Sequence, residues 1–383
     1  MFCSTVGVHG SKLQTINKPQ RITAFDITPD GTQFATGFHD GSVHIYPVST
    51  HPDRSVIAQK SSKPHLSSVT SLQFFPSSRV LLSAGADFSL AILPADPPPL
   101  PLPEDATVYT ARVTPVRILR GHTRSITSTA IVARGRNVLS GSNDGTVRLW
   151  DVSGGQQLRV ISSGNSKFTP VSSMSLGERG QGVAGRVRPN GEEITDGGPN
   201  LEGSKEKEGM VPADDREVDT VDKVVFCALS DGSFEALDLG SKHPIFQSKT
   251  ADHTEGLSSI TYSPAHNMLA TGSVKGTITV FDTRSLTTPL TSFFRNTAYI
   301  EDLAFACNFK SLTSPEGAQG GDGEVGLAAA VQDGLPFIAS VQPEGPGVLA
   351  ELAGLDCDGV RAIRVGGAGD IWIAADDGIV RRY

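Results

Sequence analysis

Three residue types used in hydrolytic chemistry fall within one short stretch. His122, Ser140 and Asp144 all lie in LRGHTRSITSTAIVARGRNVLSGSNDGTVRLWD (119–151). A serine, a base and an acid that orients the base are what acyl transfer requires. No G-x-S-x-G nucleophile elbow accompanies them, and in an α/β-hydrolase that elbow is what exposes the serine. A second chemical string is Gly180-Gln-Gly182-Val-Ala-Gly185. A glycine cradle for a dinucleotide must follow a strand and open a helix, whereas this string lies in a glycine-rich, charged segment with no amphipathic helix. Cys3, Cys227, Cys307 and Cys357 are far apart, with no C-x-x-C and no Cys/His ligand spacing, so neither a zinc site nor a disulfide framework is expected. Walker, H-E-x-x-H and kinase signatures are missing too. The residues predict a non-catalytic protein with no cofactor and no metal.

The Ser, His and Asp have a simpler explanation, because their stretch is one copy of a repeat. An apolar strand, small residues, a two-residue turn and an alternating strand recur seven times, at 34–48, 80–95, 138–152, 224–239, 268–283, 326–341 and 371–383. The turn is usually Asp-Gly, which between two alternating apolar runs is a strong hairpin signal. The turn positions are Asp40, Asp87, Asp144, Asp231, Lys275, Asp333 and Asp377. Intervals of 47, 44 and 44 residues approach the ~40–45 of a four-stranded propeller blade. The intervals of 57, 87 and 58 residues each contain an insertion. A further strand precedes each copy, at 22–27, 69–75, 126–132, 171–176, 257–263, 300–306 and 360–365. Another follows most copies, as at 156–161. The expected fold is therefore all-β: a seven-bladed propeller forming a single domain over 1–383. The seventh copy ends on its third strand, and residues 11–17 (SKLQTIN) are expected to complete that blade and close the ring.

Bulk properties narrow the function. A formal net charge of −8 argues against a non-specific nucleic-acid binder, which needs a basic footprint. No apolar run approaches the ~18 residues of a membrane span, and the N-terminus lacks a secretory pattern. These features predict a monomer of the cytoplasm and nucleus, binding neither nucleic acid nor membrane.

The insertions share one face. Segment 177–220 has no aromatic residue and few large aliphatics, and such a composition is expected to be disordered. Segment 94–106 is proline-rich and expected to be extended, and 311–324 is a flexible Gly/Glu/Ser-rich loop. With strands labelled a to d from the centre outward, these segments are all a–b or c–d loops. The opposite face keeps short b–c turns and short d–a lead-in loops, as a rigid docking surface should. Its turns carry His39, Asn143 and Asp376, and its lead-in loops carry Arg124, Glu255, Tyr299, Asp356 and Asp358. Asp356, Asp358 and Asp376 are expected to form an acidic patch at the ring closure, suited to a basic protein partner.

The 119–151 unit resembles the WD-repeat family, with Gly121-His122 at its start and Trp150-Asp151 at its end. That resemblance implies a buried hydrogen-bonded tetrad of His122, Ser140, Asp144 and Trp150. Other copies depart from it: Lys275 replaces the turn Asp, Phe281 the Trp, and Asp356 the lead-in His. His65 and His253 keep that position. More specifically, TAIVARGRNVLSGSNDGTVRLWD (129–151), ELAGLDCDGVR (351–361), DDGIVRRY (376–383) and FFPSSRVLLSAGAD (74–87) resemble the proteasomal ATPase-associated factor family. These are WD-repeat chaperones of proteasome regulatory-particle assembly. The resemblance implies that the chain binds the C-terminal domain of a free AAA ATPase subunit and accompanies base-assembly intermediates. Members of that family commonly carry more sequence before the first blade. The rival expectations are a substrate receptor of a ubiquitin ligase and a scaffold of another multiprotein complex.

Overall fold

The Asp-Gly turns fold as their chemistry dictates. The carboxylates of Asp40, Asp144, Asp231, Asp333 and Asp377 each accept the backbone N–H two residues on, at 2.9–3.0 Å, and Asp87 does so at 3.3 Å. The glycine after the turn residue takes a φ between 75° and 87° in six of the turns, a region open to glycine at little cost. Lys275 cannot accept. In its turn the Ser273 hydroxyl takes over, accepting the N–H of Thr277 at 3.0 Å.

The computed structural model describes residues 6–9, 11–13, 20–48, 60–96, 110–164, 167–179, 214–248, 255–306, 325–341, 347–353, 358–367 and 369–383. Its regular elements are strands in seven antiparallel-based sheets. Blade 1 comprises Ile22–Ile27, Gln33–Phe38, Val43–Pro47 and Lys60–Ser62; blade 2 comprises Val69–Phe74, Val80–Gly85, Ser89–Pro94 and Arg117–Arg120. Blade 3 runs Ile126–Val132, Asn137–Ser142, Thr146–Asp151 and Gln156–Ser162; blade 4 runs Val171–Glu178, Lys223–Leu229, Phe234–Asp238 and Pro244–Gln247. Blade 5 holds Leu257–Ser263, Met268–Ser273, Thr277–Asp282 and Ser285–Phe294; blade 6 holds Ile300–Ala306, Gly326–Val331, Phe337–Ser340 and Val348–Ala353. Blade 7 consists of Val360–Val365, Ile371–Ala375, Val380–Arg382 and, from the other end of the chain, Ser11–Leu13. Each first strand packs on the first strand of the next blade, and Val360–Val365 packs back on Ile22–Ile27. The ring is closed, and Ser11–Leu13 pairs antiparallel with Val380–Arg382, as the sequence predicted. Residues 14–17 of that expected strand lie outside the described residues.

Two additions escaped the sequence reading. Ala111–Arg112 and Val6–His9 lie parallel on the outer strands of blades 1 and 6. Each is too short to show a period-2 pattern.

Apolar clusters fill the wedges between blades. At the closure, Phe25, Phe34 and Tyr46 of blade 1 pack with Trp372, Ala374 and Val380 of blade 7. Phe34 stacks on Tyr46 with ring centroids 5.0 Å apart. Each such side chain contributes roughly 1.5–3 kcal/mol on full burial.

The innermost strand skips one residue of its pairing register at the same place in every blade. The skipped residues are Thr23, Thr70, Thr127, Ser172, Ser258, Glu301 and Arg361. Two of these hydroxyls join neighbouring blades. Thr127 Oγ1 lies 2.7 Å from the Val171 carbonyl of blade 4, and Ser258 Oγ lies 2.6 Å from the Ile300 carbonyl of blade 6. In blades 6 and 7 the position is charged instead. Arg361 donates to Glu301 and to both oxygens of Asp376, and Asp376 also accepts Arg21 of blade 1 at 2.8 Å. Burial and the neighbouring carboxylates of Asp376 and Asp302 push the Glu301 carboxyl up to about 7, against the opposing pull of the Arg21 guanidinium. A second arginine, Arg364, bridges Asp302 of blade 6 and Asp26 of blade 1.

The insertion expected over 177–220 is ordered at both ends. Glu178 belongs to a strand. At the far end, Val218 N–H donates to Asn137 Oδ1 at 2.7 Å and Asn137 Nδ2 donates to the Arg216 carbonyl at 3.0 Å. Glu217 forms an ion pair with Arg159 in which both side chains are mostly buried. The composition argument missed this docking because it is polar rather than apolar. Residues 180–213, 97–106 and 311–324 lie outside the described residues.

Candidate functional site

The four residues of the expected tetrad meet in blade 3. His122 comes from the lead-in loop, Ser140 from strand b, Asp144 from the turn and Trp150 from strand c. Trp150 Nε1 donates to Ser140 Oγ at 2.8 Å, and Ser140 Oγ lies 2.7 Å from His122 Nε2. His122 Nδ1 lies 2.8 Å from Asp144 Oδ2. One proton order satisfies every group: Trp N–H to Ser, Ser O–H to Nε2, and Nδ1–H to Asp. Burial holds the His122 imidazole below its ordinary value, so the neutral tautomer fits. Burial also pushes the Asp144 carboxyl up, but hydrogen bonds from Thr146, the Thr123 N–H and His122 outweigh it and leave the group below its ordinary value.

This connectivity is that of an Asp-His-Ser triad, yet these three residues cannot act as one. Ser140 is 0% exposed, and its oxygen already accepts the Trp150 N–H. A nucleophile must reach the reacting carbon to about 3–3.5 Å, and here no substrate can approach. Among the described residues no group of three or more His, Cys, Asp and Glu side chains could hold a metal. Cys227 is buried, with its thiol pushed well up by burial and by Glu235, which suppresses the reactive thiolate.

Blade 2 repeats the network without the indole. His65 contacts Ser83 at 2.7 Å and Asp87 at 3.0 Å, and Leu93 stands where blade 3 has Trp150. Blade 5 reverses the polarity: Glu255 pairs with Lys275 at 3.2 Å. His253 lies outside the described residues.

Where it is described, the short-loop face is tied together by backbone hydrogen bonds. The backbone N–H of the residue that opens the b–c turn donates to the same blade's lead-in loop in six blades. The pairs are Ala86–Ser68, Asn143–Ser125, Ser230–Pro170, Val274–Gly256, Gln332–Tyr299 and Asp376–Gly359, at 2.8–3.0 Å. Of the residues expected there, His39 and Arg124 are exposed, while Asn143, Glu255, Tyr299 and Asp358 are half-buried. Asp356 lies outside the described residues. Of the expected acidic patch, Asp376 does not stand free. Asp376 is held by Arg21 and by the two-pronged contact of Arg361, so its charge is spent within the ring closure. Sequence reasoning missed that pairing because Arg361 lies on a different strand, at the skipped register position.

Sequence reasoning also missed exposed apolar side chains on this face: Leu66, Phe88, Phe168 and Val274. The signal for Phe88 was present, since it stands in ADFS where other turns read DG.

This fold and tetrad define a WD-repeat β-propeller. In agreement, the family model described as WD domain, G-beta repeat matches residues 10–46, 58–92, 113–151 and 246–282. Among curated proteins, the chain is 27% identical over 147 residues to a component of chromatin assembly factor 1 from Mus musculus, covering 36% of this chain and 26% of that protein. It is 38% identical over 64 residues to a ribosome biogenesis protein BOP1 homolog of Monosiga brevicollis, covering 17% and 8%. The aligned regions thus span about a quarter or less of either relative.

Proposed function

We propose that the chain is a protein-docking scaffold whose short-loop face receives its partner, and that it serves the assembly of a large complex rather than a reaction. The observation that carries this reading is the repeated tie between turn and lead-in loop in six blades. Those ties preorganise one face, which lowers the ordering cost of binding, and the long insertions attach to the other face. At the finer level, the chain escorts a free AAA ATPase subunit of the proteasome base, engaging its C-terminal domain. The strings 74–87, 129–151, 351–361 and 376–383 support this through their resemblance to the proteasomal ATPase-associated factors. A second reading, a scaffold in chromatin or ribosome assembly, is favoured by the two curated relatives.

Capture of the tagged chain from native extract at low salt separates the two. Recovery of proteasomal ATPase subunits without the proteolytic core supports the escort role. Recovery of chromatin-assembly or ribosome-biogenesis factors, with no proteasome subunit, overturns it in favour of the second reading.

A further inference from the structure

On the short-loop face, the lead-in loop of one blade crosses the b–c turn of the blade before it. Glycine makes room for the crossing. A Cβ on Gly41 would lie 2.2 Å from the His65 carbonyl oxygen, and one on Gly145 would lie 2.1 Å from that of Phe168. The corresponding distances are 2.6 Å for Gly232 and Glu255, and 2.0 Å for Gly276 and Asn296. Blade 2 breaks the pattern. Its turn places Phe88 at φ 69°, in the left-handed region that disfavours any side chain, and its ring is 44% exposed. Among the described residues, seven other than glycine have positive φ. Ser78, Ala133, Asp219, Lys242 and Asn267 lie in loops of the opposite face. The other two are Phe88 and Phe168, the latter at φ 54° and 58% exposed. Neither ring joins an apolar cluster between blades. Strained backbone here presents two aromatic rings to solvent rather than to the core, and such strain gathers at binding sites.

Phe168 rests its backbone on Gly145, blade 3's counterpart of Phe88, so the two residues belong to adjoining turns of this face, on blades whose sheets pack about 10 Å apart. Between them the lead-in loop of blade 3 presents Arg124, exposed and without an ion pair to any described residue. Lys167, beside Phe168, is also exposed. Of the acids in the turns of blades 2 to 4, Asp87 and Asp144 turn inward onto His65 and His122 and are only 13% and 5% exposed, and the half-buried Asp231 is engaged by the Ser233 N–H and hydroxyl. Asp40, one blade further round, is engaged by Ser42 and Lys63. Leu66, 91% exposed, extends the apolar surface beside Phe88, since its N–H is bonded to Asp87.

We propose that blades 2 to 4 form a docking arc for an extended acidic segment of a partner protein. Two of its apolar side chains, three positions apart, sit on Phe88 and Phe168, and a carboxylate between them pairs with Arg124. The spacing fits an extended polyproline-II segment, whose three residues per turn at about 3.1 Å each bring every third side chain to one face, about 9 Å apart. The chemistry fits as well: aromatic and arginine side chains dominate binding hot spots, and arginine takes carboxylates in a two-pronged grip. This inference rests on the scaffold reading above and names the chemistry of one partner segment.

The test uses the full chain and fluorescent peptides centred on Leu-Asp-Glu-Phe, with Leu-Lys-Lys-Phe and Ser-Asp-Glu-Ser as controls. Anisotropy should show binding of the first peptide alone. Phe88→Gly and Phe168→Gly should each weaken it at least tenfold without unfolding the chain, because glycine suits positive φ. Arg124→Glu should weaken the acidic peptide at least tenfold and turn preference toward the lysine peptide. No binding, equal binding of the controls, or indifference to these three substitutions overturns the proposal. Capture of native partners distinguishes its failure from that of the scaffold reading. If the Phe88→Gly/Phe168→Gly chain still retains partners that His39 and Glu255 substitutions release, the arc is wrong and the scaffold stands. If the unaltered chain retains none, the scaffold reading falls.

Discussion

Replacing Ser140 by alanine removes one oxygen and strands two buried groups. The Trp150 N–H loses its acceptor at 2.8 Å, and His122 Nε2 loses its donor at 2.7 Å. Ser140 is 0% exposed, so water cannot replace the hydroxyl without opening the blade. An orphaned buried polar group costs about 1–3 kcal/mol, and two of them put Ser140→Ala at about 2–5 kcal/mol. Blade 2 provides an internal control. Ser83 serves His65 at 2.7 Å but has no indole to satisfy, so Ser83→Ala strands one group and should cost about 1–3 kcal/mol. Urea unfolding of both variants measures the difference. Adding Trp150→Phe to Ser140→Ala should show coupling of about 1 kcal/mol or more, because the indole N–H is then already gone. A Ser140→Ala cost below about 1 kcal/mol, or one no larger than that of Ser83→Ala, would refute the view that the network closes through the tryptophan.

Other consequences follow from the same structure. His65 and His122 are both held below the ordinary imidazole value by burial, so the unfolded chain takes up their protons first. Their stabilisation is complete above about pH 6.5 and is lost as pH falls below it, by up to about 1.4 kcal/mol per unit per group; urea midpoints at pH 7.5 and 5.5 should show the loss, and His122→Gln should make it shallower. Gly145→Ala places a Cβ 2.1 Å from the Phe168 carbonyl oxygen at φ 75° and should cost at least about 2 kcal/mol, read from thermal unfolding. Arg364→Met leaves Asp26 and Asp302 without their cation across the closure and, with the Arg364 side chain 34% exposed, should cost about 1–3 kcal/mol in urea unfolding. A stability within about 0.5 kcal/mol of the parent would remove the bridge from the account of ring closure.

Hairpins, blade number and closure were legible because their causes are local. An Asp carboxylate capping its own turn needs no information beyond three residues, and strand 11–13 declares itself through the missing partner of Val380–Arg382. The tetrad could be placed through the WD-repeat resemblance, since its members sit at fixed offsets within one unit. What depends on contacts between units was not legible. The pairing of Arg361 with Glu301 and Asp376 joins residues 60 and 15 positions apart, and it draws Asp376 out of the expected acidic patch into a structural clasp. The docking of Glu217 on Arg159 likewise crosses blades. Phe88 lay in plain view as a break in the turn pattern, but its significance needed the backbone angle and the exposure of the ring.

The central claim is that partners dock on the short-loop face. Lysine crosslinking of the captured complex tests it most directly, because each face carries its own reporters. Lys63 and Lys275 lie on the short-loop face with side chains 62% and 64% exposed, and Lys167 is exposed there too; Lys242 lies in a c–d loop of the opposite face. Protection of the first three on partner binding, with crosslinks from the short-loop rim and none from Lys242, is the predicted result. Partner crosslinks at Lys242 with Lys63, Lys167 and Lys275 still freely labelled would contradict it.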